Sequence, residues 1–115
     1  MKKKRLISSY DEENDIFVGK IDGKNGYLAD FGISDGIFLG IDKNKCPASI
    51  FVENASEVFN TSKKVLESAD VRISLDCDEL FVYFNFFVEN SRIFSSKSEN
   101  FFHIPSLNFV MDTNH

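Results

Sequence analysis

Hydrophobic and polar positions alternate in short runs, broken by residues that favour turns. Leu6 to Tyr10 reads as extended, and Asp11-Glu12-Glu13-Asn14 as a polar turn into a strand from Asp15 to Ile21. Asp22-Gly23-Lys24-Asn25-Gly26 gathers residues that tolerate positive φ and predicts a hairpin. In the next strand, Tyr27 to Ile33, the residues Tyr27, Ala29, Phe31 and Ile33 share one face. Ser34-Asp35-Gly36 turns the chain into Ile37 to Ile41, and Asp42-Lys43-Asn44-Lys45 turns it again into Ala48 to Val52. This half is expected to form an antiparallel meander.

The period then changes. Ala55, Val58, Phe59, Ser62 and Leu66 fall at helical spacing, with Asn54 as the expected cap and Glu57 reaching back to it as in a capping box. A helix is predicted from about Ala55 to Glu67, and Asn60-Thr61-Ser62 is weak enough to divide it in two. Val71, Ile73, Leu75 and Cys77 restore the period of two. Leu80 to Val88 is apolar on both faces, which predicts a central strand covered on both sides. Arg92 to Ser95, Phe101 to Ile104 and Leu107 to Met111 complete the predicted strands, the last two separated by Pro105.

The fold class is therefore β-rich α+β: an antiparallel meander of short strands with one central helix packed on the sheet. A single domain is expected over residues 1–115. Residues 8–59 would form the meander and the start of the helix, and residues 70–111 a second set of hairpins.

Composition adds limits. With 43% hydrophobic residues the chain is well above what disordered segments carry, and no apolar run approaches the roughly 18 residues of a membrane span. The basic start, MKKKRLISSY, lacks an apolar run after it and does not read as a signal peptide. A soluble, cytoplasmic protein is the expectation, with Cys46 and Cys77 as reduced thiols. Charge is uneven: after Lys2, Lys3, Lys4 and Arg5, residues 11–60 carry four lysines and ten acids, within a formal total of −5. An acidic body disfavours a phosphate-binding face, so neither nucleic acid nor membrane is expected as a partner.

Tyr10-Asp11-Glu12-Glu13-Asn14-Asp15 before an apolar strand, then Asp35-Gly36-Ile37, the turn at Asp42, the strand through Ile50 and Asn54-Ala55-Ser56, follow a recognisable order. Over roughly residues 8–59 this resembles the family catalogued as domain of unknown function 2283. Where that family usually bears a glycine-containing turn, Lys45-Cys46-Pro47 stands instead. The resemblance implies a compact β-rich unit with an adjoining helix and implies no activity or catalytic residue.

Candidate chemistry is sparse. Gly32-Ile33-Ser34-Asp35-Gly36 has the spacing of a hydrolase nucleophile elbow, but the strand that follows it favours a hairpin turn. Asp42 to Glu53 imitates a calcium loop, yet Cys46 and Pro47 occupy positions that need an oxygen ligand and a glycine. Asp11, Glu12, Glu13 and Asp15 form one acidic cluster, and Asp76, Asp78 and Glu79 another; the first is the candidate for weak metal binding. His103 has no second histidine except His115. No cofactor and no catalytic residue is assigned.

Aromatic clustering is the remaining lead. Eight of thirteen phenylalanines lie between residues 81 and 109, and Phe81, Tyr83, Phe84, Phe86 and Phe87 are the candidates for core or interface. The leading expectation is a non-catalytic interaction module that forms a homodimer, with an antitoxin-like role toward a basic protein partner. The rival is a small metal- or ligand-binding domain, or an enzyme, that uses the acidic turns.

Overall fold

The computed structural model describes residues 2–23 and 29–112, among which nine strands and two short helices form. The strands are β1 (Lys2–Asp11), β2 (Ile16–Ile21), β3 (Ala29–Ser34), β4 (Ile37–Ile41), β5 (Pro47–Val52), β6 (Val71–Cys77), β7 (Phe81–Val88), β8 (Ser91–Glu99) and β9 (Leu107–Asp112). Helices α1 (Ala55–Val58) and α2 (Lys63–Ser68) connect β5 to β6. The β-rich α+β class is thus what the chain adopts. The hairpin expected at 22–26 does not form, because β2 pairs with β1 and β5 while β3 pairs with β4. Residues 24–28 and His115 themselves lie outside the described residues.

The strands form one sheet in the order β3-β4-β5-β2-β1-β9-β6-β7-β8, nearly closed into a barrel. β1 joins the two halves. Its residues Leu6 to Asp11 pair antiparallel with β2, while Lys2 to Arg5 pair with β9 in the only parallel ladder among the described residues. Alternation then decides what the barrel encloses. Phe17, Leu39, Ile50, Ile73, Leu75, Phe84, Phe86 and Met111 all point inward and are buried. Gly19 also faces inward, and a Cβ there would stand 2.8 Å from Leu6 Cδ1, so its lack of a side chain is what lets Leu6 fill the interior.

The helices cover one end of the barrel. Phe59, just after α1, stacks on Phe86 at 3.8 Å and 7° and meets Phe94 edge-on at 5.5 Å. Phe86 in turn meets Phe17 edge-on at 5.5 Å, so one aromatic chain runs from the helices into the strands. The apolar stripe read from the sequence is the buried one: Ala55, Phe59 and Leu66 all lie in the core.

The helix is divided at the weak stretch Asn60-Thr61-Ser62, where Asn60 adopts φ 49° and Ser62 starts α2 afresh by accepting from Val65 N at 3.2 Å. Three details differ from the sequence expectations. Asn54 is left-handed (φ 51°) and makes no side-chain cap; Asp15 supplies the acceptors for the first turn of α1 instead. β8 runs from Ser91 to Glu99 rather than Arg92 to Ser95, because pairing with β7 carries its serine-rich end along. Phe101 to Ile104 is a loop rather than a strand, since Asn100 bonds both Ile104 N and Ile104 O across it.

Candidate functional site

The acidic turn between β1 and β2 is a fastening. Asp11 accepts from Asn14 N at 3.1 Å and Asn14 Nδ2 at 2.8 Å, and these bonds, side chain first, hold its carboxyl below the ordinary range. Asp15, at φ 56°, accepts from Tyr10 Oη at 2.6 Å, Ser56 N at 3.0 Å and Ser56 Oγ at 2.7 Å. Its carbonyl also accepts from Ala55 N at 2.9 Å. Burial pushes the Asp15 carboxyl up, but the bonds from Tyr10 and Ser56, with the charge of Lys63, together outweigh it and leave the pKa lowered. Lys63 Nζ donates to Glu12 O at 3.1 Å, which ties the same turn to α2. Glu67 sits against Glu12, and the hydrogen bond and charge between the two carboxyls raise its pKa. Asp11, Glu12 and Asp15 therefore meet helix residues and turn amides, Glu13 is exposed beside them, and among the described residues no three His, Cys, Asp or Glu side chains converge as metal ligands would.

The other candidates resolve locally. Gly32 to Gly36 forms the β3–β4 hairpin, with Gly36 at φ 77° and Glu53 N donating to its carbonyl at 2.8 Å. Asp42 is buried, and its Oδ1 accepts from Asn44 N at 2.8 Å and Cys46 N at 3.0 Å, so the calcium-like loop uses its first carboxylate internally. Lys45 there takes φ 64°, a conformation that glycine adopts without strain. Cys46 and Cys77 are free thiols; burial, then the charges of Asp76 and Asp78, push Cys77 up to about 12.

The pleat divides the aromatic candidates. Phe84 and Phe86 are core. Phe81, Tyr83 and Phe87 lie on the outer face of β7, half-buried beneath cations from neighbouring strands. Arg72 lies 4.5 Å over the Phe87 ring, and Lys97 lies 4.0 Å over Phe81 and 5.9 Å from Tyr83. Beside them a shallow basin of about 550 Å³ is lined by Ser74, Asp76, Tyr83, Asn85, Lys97 and Asn108, among others. Its walls come from β6, β7, β8 and β9, so the second half of the chain builds it alone.

Sequence reasoning missed a second feature, at the end of the barrel away from the helices. Leu80 (67% exposed), Phe101 (73%) and Phe102 (40%) stand out from two connections, 78–80 and 100–106. Asn100 binds these connections together: its N donates to Leu80 O at 2.9 Å and its Nδ2 to Asp78 O at 2.9 Å. The available signal was an apolar residue directly after Asp78-Glu79, and a pair of phenylalanines before Pro105. No family model, curated protein or solved structure matches the chain.

Proposed function

We propose that the chain is a non-catalytic protein-interaction module that self-associates through the outer face of β6 to β9. The observation that carries this reading is the row Phe81, Tyr83 and Phe87 on one face, together with Arg72 and Lys97 above it. A two-fold interface has to be complementary to itself, and this face holds both the rings and the cations that rings attract, with Asp76 to pair with a partner's cation. The acidic groups that suggested chemistry support the reading by their use: Asp15, Asp42 and Asp78 are all engaged with the chain's own amides. The reading keeps the cytoplasmic setting expected from the sequence. The likeness to domain of unknown function 2283 brings no activity with it.

Light scattering on the purified chain tests this directly. A dimer that becomes a monomer on Tyr83→Ser plus Phe87→Ser, with the fold retained by circular dichroism, supports the reading. A monomeric wild type at high micromolar concentration refutes it. One observation favours a second reading, a small polar ligand: the basin combines an aromatic wall with Asn85, Asn108, Ser74 and Asp76, groups that recognise hydroxyl-rich molecules. Thermal shift with neutral sugars and with divalent ions separates the two, since a ligand in the basin raises Tm and a dimer face alone does not respond.

A further inference from the structure

The tip formed by Leu80, Phe101 and Phe102 is a second surface, distinct from the sheet face. Three large apolar side chains stand at adjacent loop ends, on connections that are pinned rather than loose. Asp78 Oδ1 closes the first connection by accepting from Leu80 N at 2.9 Å and Phe81 N at 2.7 Å. Asn100, itself buried, closes the second, donating to Ile104 O at 2.9 Å and accepting from Ile104 N at 2.9 Å. Ile104 is buried and anchors that loop. Leu80 and Phe101 are thus held out on a scaffold, so a partner that binds them pays little for ordering.

Charge decides what the partner is. Asp78, Glu79 and Glu99 are exposed around the tip. Beside the phenylalanines is a cleft of about 280 Å³, lined by Glu79, Asn100, His103, Ile104 and Ser106. Ile104, the one aliphatic side chain in its lining, and the Glu79 carboxylate suit the stem and the head of a lysine or arginine. We infer that this tip docks into a partner protein whose apolar pocket is edged by lysine or arginine, with a basic side chain seated in the cleft. The acidic rim repels a second copy of the same tip, and it repels anionic lipid headgroups. This inference rests on the interaction-module reading but not on the dimer, because it uses neither β7 rings nor the basin.

The test uses the full chain labelled with nitrogen-15, and an amphipathic helical peptide of leucine and lysine as the probe. Its leucine–glutamate counterpart and vesicles of phosphatidylcholine, with and without phosphatidylglycerol, serve as controls. The expected result is shifted amides confined to residues 78–81 and 99–106 with the basic peptide. Affinity should fall about tenfold in Phe101→Ser plus Phe102→Ser and severalfold in Glu79→Gln, and it should weaken as salt is raised. Glu79→Gln removes a charge from an exposed side chain, so it reads binding without threatening the fold. Shifts elsewhere, no shifts, or equal binding of the acidic peptide overturn the inference. Binding to vesicles in place of peptide assigns the tip to membranes and also overturns it. A wild-type dimer dissociated by Phe101→Ser assigns the tip to self-association and does the same. A monomeric wild type that still binds the basic peptide here overturns the dimer and leaves this inference standing.

Discussion

Replacing Asp15 tests whether the acidic turn fastens the helices to the barrel. Its carboxylate accepts from Tyr10 Oη (2.6 Å), Ser56 N (3.0 Å) and Ser56 Oγ (2.7 Å). A hydrogen bond to a charged group contributes about 1.5–3 kcal/mol, but these donors are half-buried and partly recover water, so the three together contribute about 3–4 kcal/mol. Asp15→Ala also places a Cβ-bearing residue without a polar side chain at φ 56°, which adds about 1 kcal/mol. Asp15→Asn tolerates that backbone and keeps one acceptor, so it should lose only about 1.5–2.5 kcal/mol. Urea denaturation at neutral pH measures both, and a cycle with Tyr10→Phe should return a coupling of about 1 kcal/mol. The pH dependence follows from the lowered pKa. A carboxyl depressed in the folded state contributes stability above its unfolded pKa of about 3.9, and that contribution is lost as pH falls through the folded value. In Asp15→Asn this part of the acid-induced loss should be absent. Equal losses of under about 0.5 kcal/mol in both variants, or no coupling to Tyr10, would refute the reasoning.

Three further outcomes are expected. Phe59→Ala removes the ring stacked on Phe86 and should cost about 3–5 kcal/mol in the same urea assay, whereas Phe59→Leu should cost about 1–1.5 kcal/mol. A thiol reagent at neutral pH should modify Cys46 quickly and Cys77 only after unfolding, because burial pushes the Cys77 thiol up to about 12; two fast equivalents by mass spectrometry would contradict this. Glu67 has the opposite sign to Asp15: its raised pKa favours the protonated form in the folded state, so its contribution is present at low pH and lost as pH rises through the folded value. Glu67→Gln should therefore raise Tm at neutral pH and leave it unchanged near pH 4, as read by thermal melts.

Much of the fold was legible because period and burial coincide. Val71 to Cys77 reads as strict alternation and is the strand found, and Ile37 to Ile41 likewise. What was not legible depends on partners distant in sequence. The parallel pairing of Lys2–Arg5 with Phe109–Asp112 brings together the two ends of the described chain, and no local pattern encodes it. The cap of α1 failed for the same reason: the acceptor is Asp15, 41 residues from Ser56, rather than the neighbouring Asn54. Of the five aromatic candidates on β7, composition could give only their number, whereas the pleat assigned Phe84 and Phe86 to the core and Phe81, Tyr83 and Phe87 to the surface.

The same division explains where function is to be sought. Inside the barrel, alternation places every inward residue of β7 against another apolar side chain, and the outward rings are met by Arg72 and Lys97. Periodicity ends at the connections, and there the chain keeps apolar residues that no strand requires. A polar residue at Leu80 or Phe101 would leave the Asp78 and Asn100 bonds intact, because those bonds run through backbone groups. Their exposure to water is therefore a cost the fold itself does not demand, about 1.5–3 kcal/mol forgone for each side chain that burial would stabilise. A surface that covers Leu80 and Phe101 recovers that energy, and the carboxylates around them restrict recovery to a partner that brings positive charge.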